Sequence, residues 1–116
     1  MKFFLWLDDV RPCPYMKEDE VAYINEDAFY RWAHSVYGAI KYLTLAEEDD
    51  NDYDEYIFDL DHDLGDYFQY GGDAIEFVKW LVETGRTTKK YRLKFHTMNP
   101  VGRDNMLALY KRYWEV

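Results

Sequence analysis

Tyr56-Ile57-Phe58-Asp59-Leu60-Asp61-His62-Asp63-Leu64-Gly65 is the stretch on which the fold turns. It opens apolar and aromatic, at a length that suits a buried strand, and then delivers three carboxylates and an imidazole. Unpaired charge costs several kcal/mol to bury, so acids in this position share a cation or sit at the strand's exposed end. The same arrangement occurs at the start of the chain, where Phe3-Phe4-Leu5-Trp6-Leu7 runs into Asp8-Asp9. Two strands that both end in carboxylates point to one shared site.

Outward from these two runs, the remaining elements follow from period and punctuation. Residues 3–7 form the first strand, and Arg11-Pro12-Cys13-Pro14 interrupts regular structure because both prolines lack an N–H donor. Residues 15–28 are mixed and receive no element, and a second strand is expected at 29–34. Ser35 reads as an N-cap, with Val36, Ala39, Ile40 and Leu43 at helical spacing through about residue 46. An acidic loop over 47–55 leads to the third strand, 56–60. A loop with Gly65 and Gly71-Gly72 then reaches a helix that Asp73 caps, with Ile75, Val78, Leu81 and Val82 on one face and Gly85 as its stop. The fourth strand spans 91–96. Asn99-Pro100 starts a last helix whose inner face carries Met106, Leu107, Leu109, Tyr110 and Tyr113. This alternation predicts one α/β domain over 1–116. Its architecture is a three-layer sandwich, a mostly parallel sheet of four or five strands with helices on both faces.

Composition narrows the function classes. Hydrophobic content of 48%, with 20% aromatics, supports a packed core rather than disorder. The twelve tyrosines read as packing and rim residues more readily than as base-stacking platforms. The net charge is −9, but residues 47–55 hold seven acids, which leaves −2 for the rest. An extended nucleic-acid surface needs Lys/Arg neutralisation and is not expected. A small phosphorylated ligand remains compatible where a metal or local arginine screens it. The single cysteine, Cys13, gives neither a disulfide within the chain nor a thiolate zinc site, and suits a reducing compartment. The N-terminal apolar run is too short for a signal peptide or a membrane span, so a soluble, cytoplasmic protein without membrane contact is expected.

In open parallel sheets the ligand crevice lies outside the carboxyl ends of the strands. Asp8-Asp9, the acidic cluster from Asp59 to Asp63, and His96-Thr97 all fall there. Asp8, Asp9 and Asp61 offer hard oxygen donors that favour Mg²⁺ or Mn²⁺, while two histidines leave zinc or another 3d metal open. Taken singly, His62 could bond a backbone carbonyl, His96 reads as a satisfied core histidine, and Asp63 fixes the turn that Gly65 ends. Asp59 is ambiguous, since strand alternation places it on one face with Asp61. His34 reads as unconnected. Thr97, Asn99 and the helix start at Gly102 suggest a phosphate subsite built on free N–H groups, to which Arg11 and Arg103 add bidentate contacts.

These residues resemble a known pattern. Leu5-Trp6-Leu7-Asp8-Asp9-Val10-Arg11-Pro12, Asp61-His62-Asp63-Leu64-Gly65, Gly72-Asp73 and His96-Thr97-Met98-Asn99-Pro100-Val101-Gly102-Arg103 are similar to the cyclic-phosphate-processing receiver-like domain, a relative of the response-regulator receiver. The resemblance implies a receiver-like, flavodoxin-like fold and an acidic metal pocket overlaid with two histidines. Carried over by position, Asp8, Asp9 and Asp61 hold the cation, His62 and His96 transfer protons, and Thr97 contacts phosphate. Asp63, Gly65, Asn99 and Gly102 line the subsite. No fifth strand ending in Lys-Pro is found, which weakens a phosphorelay role. The implied activity is metal-dependent opening of an RNA 2′,3′-cyclic phosphate end or a small cyclic nucleotide. The alternatives are a nucleotide- or partner-binding protein without turnover, and a phosphoacceptor receiver.

Overall fold

The computed structural model describes residues 1–16, 22–49 and 53–115. Five strands form one sheet: β1 (Lys2–Leu7), β2 (Ala22–Ile24), β3 (Ala28–Ala33), β4 (Glu55–Leu60) and β5 (Tyr91–Phe95), in the order β2-β3-β1-β4-β5. β1, β3, β4 and β5 are parallel, and β2 adds an antiparallel edge to β3. The helices are α1 (Val36–Glu48), α2 (Ala74–Glu83) and α3 (Pro100–Tyr113). This is a receiver-like α/β fold.

β1 lies between β3 and β4, so its residues are covered on both faces, which explains its unbroken apolar run. Phe3, Leu5 and Leu7 join Phe58, Leu60 and Leu93 under the buried faces of all three helices, including Val36, Leu43, Phe77, Leu81 and Met106. Phe4, Trp6 and Ile57 point to the other face, where Cys13, Met16, Tyr30 and Trp32 cover them. Among the described residues the three helices therefore share one face. The second helical layer expected from the sequence is replaced by the loop through Cys13 and Met16. Connection handedness accounts for this. The chain steps in one direction from β3 to β4 and from β4 to β5, so right-handed crossovers place α1 and α2 on the same side. The opposite step, from β1 to β3, is made by a proline-interrupted segment that forms no described helix.

Local expectations hold with adjustments. The Ser35 hydroxyl accepts the Gly38 N–H at 3.0 Å and caps α1. α1 continues to Glu48, absorbing the first part of the expected acidic loop, and residues 50–52 of that loop lie outside the described residues. Asp73 occupies the cap position of α2, but its carboxylate accepts the Leu64 N–H instead, at 3.1 Å. Residues 65–70, expected as loop, form a 3₁₀ helix. β2 falls in the stretch left without an element, and 17–21 of that stretch lie outside the described residues. Tyr113, expected on the inner face of α3, is exposed.

Candidate functional site

Three backbone hydrogen bonds step across the carboxyl ends of the strands and fix the site. Asp8 N–H donates to Ala33 O (3.1 Å), Asp61 N–H to Leu7 O (2.9 Å) and His96 N–H to Leu60 O (3.1 Å). Each falls one residue beyond its strand, where side chains emerge from the ladder. The ends of β3, β1, β4 and β5 are thereby held side by side.

Asp8, Asp9 and Asp61 come together: each offers a carboxylate oxygen, and these lie within 4.8 Å of one another. Asp8 is fully buried. Its Oδ1 accepts the N–H groups of Val10 (3.0 Å) and Arg11 (2.7 Å), and its Oδ2 faces His96 Nε2 at 2.9 Å. Burial opposes ionisation of Asp8, but His96 and the two amides outweigh it and hold the carboxyl below its usual value. Asp61 goes the other way. Burial raises its affinity for a proton, the Thr97 hydroxyl partly offsets this, and the charge on Asp8 adds to it. Gly65 makes room for Asp9: its φ is +53°, and a Cβ there would stand 2.5 Å from Asp9 Oδ2.

His96 is enclosed by carboxylates. Its Nδ1 faces Asp59 Oδ1 at 2.8 Å and its Nε2 faces Asp8, while the ring stacks on Trp6 at 3.6 Å and 4°. Burial disfavours the imidazolium, yet Asp59 and Asp8 together raise its pKa above the ordinary value. Asp59 is not in the Asp8–Asp9–Asp61 group but holds His96. It pairs in register with Trp6, whereas Asp61 lies past the end of β4, where alternation no longer applies. The register from Trp6 to Asp59 is the signal that assigns Asp59 to His96.

His62 follows Asp61 and its backbone N–H donates to Asp61 Oδ1 at 2.9 Å. Its Nδ1 faces Asp63 Oδ1 at 2.9 Å, and Asp63 is held by Asn99 Nδ2 at 3.2–3.3 Å. Asp63 is thus a partner of His62, and its carboxyl lies below the usual range because His62 and Asn99 outweigh its slight burial. Gly102 was expected to offer a free amide to phosphate; instead its N–H donates to Asn99 Oδ1 at 3.0 Å. Its missing side chain serves a different end, since a Cβ on Gly102 would overlap the His62 ring. Arg11 lies at the rim, with Nη1 donating to His96 O at 3.2 Å and Nε 3.9 Å from Asp8 Oδ2. The Thr97 hydroxyl accepts the Asn99 N–H at 3.1 Å. Arg103 is exposed on the first turn of α3 and takes no part in these contacts among the described residues. The largest described cleft, about 520 Å³, lies elsewhere, beside Lys2, Tyr15 and Lys94, and includes none of these acids.

Sequence reasoning passed over His34. It follows Ala33 at the end of β3, its ring packs between Trp32 and Tyr67, and the charges of Asp9 and Asp8 reach it.

Fold and site define a receiver-like domain with a carboxylate pocket at the carboxyl edge of its sheet and two histidines set beside it. The family model of the cyclic-phosphate processing receiver domain matches residues 3–112, and the chain belongs to that family. Searches of curated proteins and of solved structures returned no significant match. No helix among the described residues is long and apolar enough to cross a membrane.

Proposed function

We propose that this protein is a metal-dependent phosphodiesterase that opens a cyclic phosphate, either an RNA 2′,3′-cyclic end or a small cyclic nucleotide. The observation that carries this reading is the meeting of Asp8, Asp9 and Asp61 within 4.8 Å, with His96 against Asp8 and His62 next in the chain after Asp61, each histidine held by a carboxylate. A compact set of hard oxygen donors suits Mg²⁺ or Mn²⁺, and these three residues would hold it. Such a cation, when bound, polarises a phosphoryl oxygen.

The chain's own groups supply the proton transfers. Asp63 opposite Nδ1 fixes the His62 proton on that nitrogen and leaves Nε2 to accept a proton from the attacking water. His96, facing a carboxylate at each nitrogen, would carry both protons and, once its Nε2 contact with Asp8 opens, give one to the leaving alkoxide. Water adds to phosphorus, one ring P–O bond breaks, and a phosphomonoester with a free hydroxyl results. Thr97 and Arg11 would contact phosphate oxygens.

The test is incubation with 2′,3′-cyclic AMP and Mn²⁺ or Mg²⁺, following the phosphomonoester by ³¹P NMR. His62→Ala and Asp61→Asn are each expected to reduce the rate by about 10²-fold or more. Absence of ring opening with every cyclic mono- and oligonucleotide tried, or full activity in His62→Ala, would overturn the reading. One observation favours binding without turnover: both ring nitrogens of His96 are already engaged. Calorimetric binding with no product after long incubation would select that alternative.

A further inference from the structure

Beside the acidic pocket, at the end of β3, lies a cleft of about 240 Å³ bounded by Trp32, His34, Ser35, Gly38 and Tyr42. It shares a wall with the acids, because the Trp32 indole N–H donates to the Asp8 carbonyl at 2.8 Å. β1 and β3 pair through Leu7 and Ala33, so His34 stands next to Asp8 across the strand ends. The lining contains no carboxylate, lysine or arginine, in contrast to the pocket beside it.

Two features of the cleft point to an occupant. The His34 Nδ1 is buried without a hydrogen-bond partner among the described residues, a costly state that a ligand donor or acceptor would relieve. Gly38 stands on the helical side of the cleft, where a Cβ would press on Ser35 Oγ at 3.1 Å and reach Ala33 Cβ at 4.0 Å. Aromatic walls and a neutral polar edge match an uncharged heterocycle with hydrogen-bonding groups on its rim.

We infer that this cleft receives the heterocyclic base of a nucleotide whose cyclic phosphate lies at Asp8, Asp9 and Asp61. The inference rests on the function proposed above for those acids. Trp32 supplies stacking surface, the Arg31 guanidinium already lying 4.0 Å over the Tyr42 ring, and His34 Nδ1 bonds the edge of the base. Burial pushes the His34 imidazole down, against the pull of Asp9 and Asp8, which keeps the ring neutral and able to present a lone pair.

Three compounds separate the cleft from the acids: 2′,3′-cyclic AMP, adenosine, and a base-free methyl riboside 2,3-cyclic phosphate. Binding is followed by NMR on the Trp32 and His34 ring resonances, with Mn²⁺ affinity measured alongside. Cyclic AMP and adenosine are expected to shift both rings, and the base-free compound to leave them in place. Gly38→Leu, which fills the cleft from a helical position, should weaken cyclic AMP binding about tenfold. It should leave Mn²⁺ affinity and the base-free compound unaffected. His34→Ala should weaken cyclic AMP in the same sense, and it decides the matter should Gly38→Leu not fold. Equal affinity for cyclic AMP and the base-free compound, with both rings undisturbed, would overturn the base cleft while sparing the phosphate site. Adenosine binding at His34 without binding of the base-free compound would uphold the cleft and remove the phosphate reading. Failure of all three compounds to bind would remove both.

Discussion

The geometry of single residues decides what the two histidines do. His96 is set between Asp59 and Asp8, and Asp8 has no exposed surface. A buried carboxylate without a partner costs several kcal/mol, so His96 and the Val10 and Arg11 amides make Asp8 tenable. His62 has more freedom, with one nitrogen turned to Asp63 and its ring face against Gly102. Gly102→Ala tests how closely that ring is held. The added methyl would overlap the His62 ring, so either α3 or the imidazole must move, at a cost of about 1–3 kcal/mol. Ring opening should fall by about 10²-fold, since a shift of about 1 Å in a catalytic group has that effect. Denaturant unfolding and the rate of cyclic AMP opening, measured on one preparation, read both outcomes. No change in either would mean that His62 does not occupy this position.

At the scale of elements, the far end of the sheet is held by a contact that no part of the site touches. Glu47, near the end of α1, takes Arg86 on both carboxylate oxygens at 2.8–3.2 Å and the Tyr91 hydroxyl at 2.6 Å, tying α1 to the loop after α2 and to β5. Burial works against the Glu47 charge, but Arg86 and Tyr91 outweigh it and hold the carboxyl below 4.5. Burial and the same carboxylate push the Tyr91 hydroxyl up. A carboxyl lowered on folding adds stability above its unfolded pKa and loses it as pH falls through the folded value. Glu47→Gln should therefore cost about 1–3 kcal/mol at pH 7. The gap from the parent protein should close as pH drops below about 4.5. Urea unfolding across pH 3–8 checks this, and a gap that stays constant with pH would refute the charge account. Several elements were legible beforehand. The apolar runs of β1 and β4 ending in acids, the Ser35 cap and the Asn99-Pro100 start needed only local chemistry. The 3₁₀ helix was not, because Tyr67, Phe68 and Tyr70 show no recognisable period. Nor was β2, a three-residue strand that exists only through pairing with β3.

For the whole molecule, the acidic pocket was legible because strand ends of a parallel sheet must gather, which brings Asp8, Asp9 and Asp61 within 4.8 Å of one another and His96 against Asp8. The lack of a helix on the second face among the described residues was legible in principle. No helical period occurs between β1 and β3, and connection handedness assigns that segment a side of its own. What local patterns cannot give is the division of labour among the acids, which depends on register: Asp59 to His96, Asp61 to Asp8 and Asp9, Asp63 to His62. A metal bound at three carboxylates in a chain of net charge −9 should stabilise the native state. At a hundredfold excess over Kd the gain is about 2.7 kcal/mol, on the order of 10 °C in Tm. Thermal scans with Mg²⁺ or Mn²⁺ at matched ionic strength should show this shift, and EDTA or Asp9→Asn should abolish it. An equal shift in Asp9→Asn would place the ion elsewhere.

The flat stacking of His96 on Trp6 has an optical consequence. A protonated imidazole face to face with an indole quenches its emission, so Trp6 fluorescence is expected to follow the protonation of His96. A ligand that drew Asp8 away from that ring would loosen the stack and brighten the indole, which would make Trp6 a fluorescent gauge of pocket occupancy.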